Sequence, residues 1–355
     1  MLIPSAVLKK PGSIAAIRDI LISNGTSPYA HAYAFNPTTG SIGSKYSAPS
    51  SAGPGTMYSM FFNNSLNIAM AAASTTPIPN VWAYTPGTGW GAKKSNPSSA
   101  PSGTAGRNLM IHPGLGDIGL AHDTTPYLTA WGYSGSGFGS KYSNPTSVGG
   151  IATNMCWSRA GGAAFVSYTL SPYVKAYHFT AGSGWGSVYT APGTAATGNL
   201  GRYVYAFANG NYVATAGDSS GSLNIYAWSD AGGWGSRTTG SVTGAAAYMA
   251  LCMPSTDDAI VFTLNSSPYI KGNQVNASTG VVGTAFSNPS RLPAGSAGGS
   301  TCNIAMIGED NYVIIGVGTT PYFHVYQFDK VTGFGTRLTA PSTAMTSFVY
   351  GVGFT

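Results

Sequence analysis

The chain has 355 residues, of which only 7% are charged, with 16 Lys and Arg against 10 Asp and Glu and a formal net charge of +6; ordinary globular chains are about one quarter charged. Gly (49) and Pro (22) are too frequent for long helices, and the basic residues are too dispersed for a nucleic-acid footprint. No apolar run reaches the roughly 18 residues of a spanning helix, and three cysteines without paired spacing (Cys156, Cys252, Cys302) do not make a disulfide framework.

In chain order, residues 1–18 read as an N-terminal extension without the apolar run and cleavage site of a signal peptide. Residues 19–355 read as one domain. Asp19 to Ser23 is the first expected strand. A repeated unit then begins at Ser27, Thr76, Thr125, Ser171, Ser220, Ser267 and Thr320. Its second position is Pro28, Pro77, Pro126, Pro172, Gly221, Pro268 and Pro321, in steps of 49, 49, 46, 49, 47 and 53 residues. A period of this length belongs to propellers, solenoids or arrays.

The third copy displays the unit most fully. Apolar runs at Arg107 to His112 and Ile118 to His122 flank a Pro113 to Asp117 turn; Tyr127 to Tyr133 and Phe138 to Tyr142 follow, joined at Ser134 to Gly137. Four short strands in succession predict an antiparallel meander. Within the third strand, the positions one and five after the proline are aromatic (Tyr29 and Tyr33, Tyr127 and Trp131, Tyr173 and Tyr177, Tyr322 and Tyr326). Those two and four after it are apolar (Leu128 and Ala130, Val174 and Ala176, Phe323 and Val325). Alternate residues point to opposite faces, so both faces are buried, and a radial stack of sheets provides neighbours on each side. The innermost strand repeats this with Phe61, Met110, Cys156, Tyr205 and Cys252 in one column, which makes the cysteines core residues.

A Gly-aromatic-Gly triplet precedes the last strand at Gly89-Trp90-Gly91, Gly137-Phe138-Gly139, Gly184-Trp185-Gly186, Gly233-Trp234-Gly235 and Gly333-Phe334-Gly335. It lacks the strand-to-helix setting of a phosphate loop, and its aromatic is expected to fill the gap between blades. Ser-Asn-Pro or Ala-Pro linkers follow, on the same rim as the Ser-Pro-Tyr loops. The terminal run Phe348 to Phe354 is expected to pair beside Ile20 to Ser23 and close a ring, with Ile14 to Ile17 as the competing segment. The expected fold is all-β, a seven-bladed β-propeller of four-stranded antiparallel blades closed by the C-terminal strand.

Two columns are candidates for binding. Aromatic Tyr29, Tyr127, Tyr173, Tyr269 and Tyr322 stand beside a polar column of His31, Asn80, Thr129, Lys175, Asn224, Lys271 and His324. Aromatic faces next to hydroxyl and amide groups suit sugars; the alternative is one polar position per strand facing water. The outer strand carries Lys45, Lys93, Lys141, Arg237 and Arg337. These read either as protection of an exposed edge or as a basic girdle for an anionic neighbour.

The repeat S-P-Y-x-x-A-Y followed by G-F-G-S-K-Y-S-N-P resembles the WD-repeat-like seven-bladed propeller proteins of tailed bacteriophages. The resemblance implies a virion-associated protein, made in the host cytoplasm, that binds other virion proteins or host surface glycans through its loop faces. A carbohydrate-binding propeller lectin is the alternative. Neither nucleic acid nor membrane insertion is expected. The acids fall mostly in turns, with Asp117, Asp257 and Asp310 read as capping their own turns; the five His lack ligand spacing, and no Gly-x-Ser-x-Gly elbow is present. The expectation is therefore a non-enzyme with no cofactor, metal site or catalytic residue.

Overall fold

The computed structural model describes residues 18–355 apart from 102–104, 115, 147–148, 197–200, 220–222, 239–247, 294–302 and 308–310. The alternation of apolar residues every second position gives seven four-stranded antiparallel sheets. Six are built from consecutive strands. In blade 3 these are Gly106–Ile111, Asp117–His122, Leu128–Ser134 and Gly137–Lys141. Blade 1 takes its innermost strand, Val349–Phe354, from the far end of the chain; it pairs Ile20 with Phe354 and Asn24 with Val349. The expected C-terminal closure is thus observed, and the competing segment Ile14 to Ile17 lies outside the described residues, as do Cys302 and Asp310.

Seven buried clusters show how the sheets are arranged. Each is drawn from two consecutive blades, as where Leu21, Ala30 and Ala32 of blade 1 meet Ala69, Ala71 and Trp82 of blade 2. The cluster of Ile314, Phe323 and Val325 with Ile20, Tyr33 and Phe35 joins blade 7 back to blade 1. Every sheet therefore covers its neighbour, and the circuit closes. Trp82, Trp131, Tyr177, Tyr226 and Tyr326, one per blade at the fifth position after the repeat proline, are fully buried.

The Gly-aromatic-Gly triplets form the first residues of the last strands and not a turn before them, while their aromatics fill the gap between blades as expected. Trp90 packs edge-on against Trp82 and Tyr84, and Trp185 against Tyr177 and Phe179, each in the cluster shared with the preceding blade. The leading glycine is needed twice over at Gly184. Its φ is +96°, and an added Cβ would lie 2.7 Å from Tyr142 of blade 3.

Four of the acids reach beyond their own turns. Asp19 accepts from Tyr46 Oη, from Tyr84 Oη and from the Gly87 amide, each at 2.9 Å, so blade 1 holds blade 2. Asp117 accepts from Tyr142 Oη and from the Gly182 amide of blade 4. Asp230 of blade 5 accepts from Ser158 Oγ and the Gly162 amide of blade 4. Asp257 of blade 6 accepts from the Ala208 and Asn209 amides of blade 5 at 2.8 Å. Backbone groups facing across a blade boundary have no ladder partner, and a carboxylate answers them where water is excluded. The carboxylates thus join blades, which corrects the turn-capping reading of Asp117 and Asp257.

Candidate functional site

Inner strands of a seven-bladed ring cannot meet at the axis, and the space between them is a channel of about 640 Å³. Its walls include Phe61, Met110, Cys156, Trp157, Tyr203, Tyr205, Cys252, Met306 and Phe354. The innermost strands run from the linker face to the opposite face, so the turns ending them ring one mouth. Those turns bring Asn63, Asn64, Ser65, Ser158, Arg159 and Ser255 to the channel. Arg159 is exposed and is the sole cation in any first-to-second-strand turn of the sequence.

The other groups in the wall are chemically quiet. His112 is buried; its Nδ1 accepts from the Gly114 amide at 3.0 Å, which leaves Nε2 as the donor to Gly161 O at 2.8 Å. Both ring nitrogens are therefore engaged. Burial pushes the Cys156 thiol up to about 12, away from thiolate chemistry. Among the described residues, no carboxylate lines the channel. Asp257 lies close enough to Arg159 to feel its charge, and burial raises its carboxyl despite two backbone donors.

None of the residues that the sequence offered as binding candidates lines this channel, whereas the innermost-strand column of Phe61, Met110, Cys156, Tyr205 and Cys252 does. Tyr29, Tyr127, Tyr173, Tyr269 and Tyr322 follow the repeat prolines on the linker face, each at a positive φ of 63° to 68°. A hydrogen bond back across the turn, such as that donated by the Tyr29 amide to Thr26 O at 2.7 Å, goes with this uncommon backbone. All five are half-buried, and Tyr29, Tyr127, Tyr173 and Tyr322 pack against interblade clusters.

The polar column is mostly internal. His31, Asn80, Thr129, Asn224 and His324 are buried, at 5% exposure or less, while Lys175 and Lys271 are half-buried. Asn80 Nδ2 donates to Pro77 O and Ile78 O, and Thr129 pairs with His122 Nε2 at 3.0 Å. Burial, with Lys45 nearby, lowers the His31 imidazole to about 4; burial, with Arg337 and Arg291, does the same to His324.

The outer basic column stands over these residues. Lys45, Lys93, Lys141, Arg237 and Arg337 are half-buried. Lys93 Nζ lies 5.9 Å from the Trp82 ring, Arg237 Nη1 donates to Asn224 Oδ1 at 3.2 Å, and Arg337 Nη1 to Leu292 O of the incoming linker at 3.1 Å. Burial lowers the ammonium groups of Lys45, Lys93 and Lys175. The two columns, read from the sequence as separate, lie on one face of the sheet, because each basic residue pairs across strands with the residue two places after the polar one, as Lys45 does with Tyr33 and Arg237 with Tyr226.

No protein-family model matches the chain, and a search of curated proteins finds no relative. Its fold is shared by solved structures. A putative 6-phosphogluconolactonase from Bacteroides fragilis aligns with a TM-score of 0.74 at 11% identity, over 98% of this chain and 100% of that one. A putative 6-phosphogluconolactonase from Bacteroides uniformis gives 0.71 at 13%, over 96% and 99%. The periplasmic gluconolactonase of Pseudomonas aeruginosa gives 0.73 at 12%, over 96% and 99%.

Identities this low carry the fold, which is a seven-bladed propeller, and not the activity. They do correct two expectations. The repeat resembles that of a non-enzymatic phage virion protein, with a lectin as the alternative. Whole-length structural likeness runs instead to bacterial proteins named as lactonases, and no comparison supports phage, virion or lectin. The sequence reading failed because repeat spacing reports on blade geometry, which propellers of unrelated purpose share. Arg159 and the Asn and Ser residues at the channel mouth were missed because they sit in turns of unequal sequence, outside the repeating columns. The signal available was the lone cation at Arg159.

Proposed function

We propose that the chain hydrolyses a cyclic ester of a sugar acid in its axial channel. The carrying observation is the channel mouth itself: one guanidinium, Arg159, on a rim that also carries the amides of Asn63 and Asn64 and the hydroxyl of Ser255, in a fold shared with proteins named as lactonases. The space, about 640 Å³, is in the range of small-molecule sites. Aromatic walls at Trp157, Tyr203 and Tyr205 offer faces to a sugar ring, and the polar mouth offers donors and acceptors to its hydroxyls.

In this reading the substrate provides much of the reactivity, since a strained cyclic ester is already electrophilic. Arg159 stabilises the oxyanion that forms as water adds to the carbonyl and gives up one proton to solvent. The ring C–O bond then breaks, the alkoxide takes a proton from solvent, and the open hydroxy acid leaves. The single cation among the described lining residues favours an unphosphorylated lactone, because a phosphoester would call for a cluster of donors.

The test is hydrolysis of glucono-δ-lactone, followed as acid release in a pH-stat against the spontaneous rate. Acceleration is expected, with Arg159→Ala lowering kcat about 100-fold, as for loss of an oxyanion donor, and no change in melting. Folded protein that neither accelerates the reaction nor binds gluconate would overturn the proposal.

A further inference from the structure

One positive charge recurs in every blade, and it changes position where its usual place is lost. The outer strand provides Lys45, Lys93, Lys141, Arg237 and Arg337 in blades 1, 2, 3, 5 and 7. Blades 4 and 6 have Val188 and Ala285 there. These are the two blades whose third strand carries Lys175 and Lys271, where the remaining blades have His, Asn or Thr.

The two positions lie on the same face of their sheets and at the same end of their strands. Arg237 reaches Asn224 Oδ1 on its own third strand, and Arg337 reaches the linker entering blade 7 at Leu292 O. Lys175 arrives from the third strand at the corresponding linker of blade 4, where a Cβ on Gly149 would lie 3.6 Å from its Nζ. Protection of the outer edge does not explain a cation that leaves the edge strand and keeps the sheet face. What each blade keeps is the charge.

These seven account for the whole net charge. Removing them from the 16 Lys and Arg leaves nine against ten acids. The charge is also one-sided. By strand direction all seven lie toward the linker face, together with Lys94 and Arg291. The acids of that face, Asp123 and Asp218, are paired with Arg107 and Arg202. The other six described acids (Asp19, Asp117, Asp230, Asp257, Asp258 and Asp329) belong to the opposite face, engaged in the interblade bonds above, with Lys330, or with their own turn.

We propose that the linker face docks the disc on an anionic lipid surface. Seven charges distributed around one face of a disc can all meet a plane of negative charge at once, and each Lys or Arg near such a surface contributes about 1 kcal/mol. A linear polyanion meets only a few. The same face presents exposed Leu170 and Leu292 and the half-buried tyrosines, side chains at home among headgroups. Docked this way, the channel mouth bearing Arg159 faces solvent.

Co-sedimentation with vesicles of equimolar phosphatidylglycerol and phosphatidylcholine tests this. The chain should bind these vesicles, ignore pure phosphatidylcholine, and be released at about 0.5 M salt. The double variant Lys175→Gln, Lys271→Gln should lose about thirtyfold in partitioning. Adding Val188→Lys and Ala285→Lys, which returns the charges to the outer strand, should restore it. Failure of the wild type to bind, or failure of the relocated charges to restore binding in a protein folded by circular dichroism, would overturn the proposal. So would retention on heparin without binding to vesicles, which would identify a polymeric anion as the partner.

Discussion

Replacing Asp19 with Ala removes a carboxylate, at 0% exposure, that accepts three hydrogen bonds at 2.9 Å and joins blade 1 to blade 2. It also stands at the ring closure, where its amide donates to Thr355 Oγ1 at 2.8 Å and its carbonyl accepts from the Thr355 amide. Each bond to a charged acceptor contributes about 1.5–3 kcal/mol, but the contributions overlap, and the mutant no longer has to desolvate the carboxylate. The buried Tyr84 hydroxyl and the Gly87 amide are left without their acceptor, so a net loss of about 3–5 kcal/mol is expected. Unfolding entropy of about 2.1 cal/mol/K per residue, over 355 residues, converts this to a fall in Tm of about 4–7 °C, read by scanning calorimetry. Asp329→Ala is the control: that carboxylate bonds only within its own exposed turn, to Val331 and Thr332, and should lower Tm by no more than about 1 °C. Equal shifts for the two variants would refute the claim that interblade carboxylates hold the ring.

Deleting residues 349–355 should leave strand Arg18–Asn24 as an open edge, seen as a lower Tm and a rise in light scattering. Gly184→Ala should cost about 2–4 kcal/mol in urea unfolding, from left-handed backbone and overlap with Tyr142; Gly182→Ala, with φ +75° and nothing within 4 Å, should cost only about 1–2. Stability should also fall at both ends of the pH scale. His31, His122 and His324 are lowered by burial to about 4, so the unfolded chain binds protons first; the stability present above pH 6.5 should be lost as pH falls from 6.5 toward 4. Tyr33, Tyr177 and Tyr326 are raised by burial to about 12; stability present below pH 10 should be lost as pH rises from 10 toward 12. A flat urea midpoint between pH 7 and 4.5 would contradict the assignment of neutral, buried imidazoles.

Much of this architecture was legible from composition and spacing. The proline period, the alternation around Tyr127 to Tyr133 and the unpartnered terminal run from Phe348 to Phe354 determine blade number, strand order and closure, because a strand apolar on both faces is stable only between two neighbours. The same reasoning could not find Arg159, since nothing in a repeat column distinguishes a turn that faces the axis from one that faces solvent. Nor could it find that Asp19 and Asp117 reach across blade boundaries, or that Lys175 stands in for the missing cation at Val188. Those relations are between residues brought together by the ring and not by the chain, and distance in space, which decides hydrogen bonds and charge interactions, is set only when the circle closes.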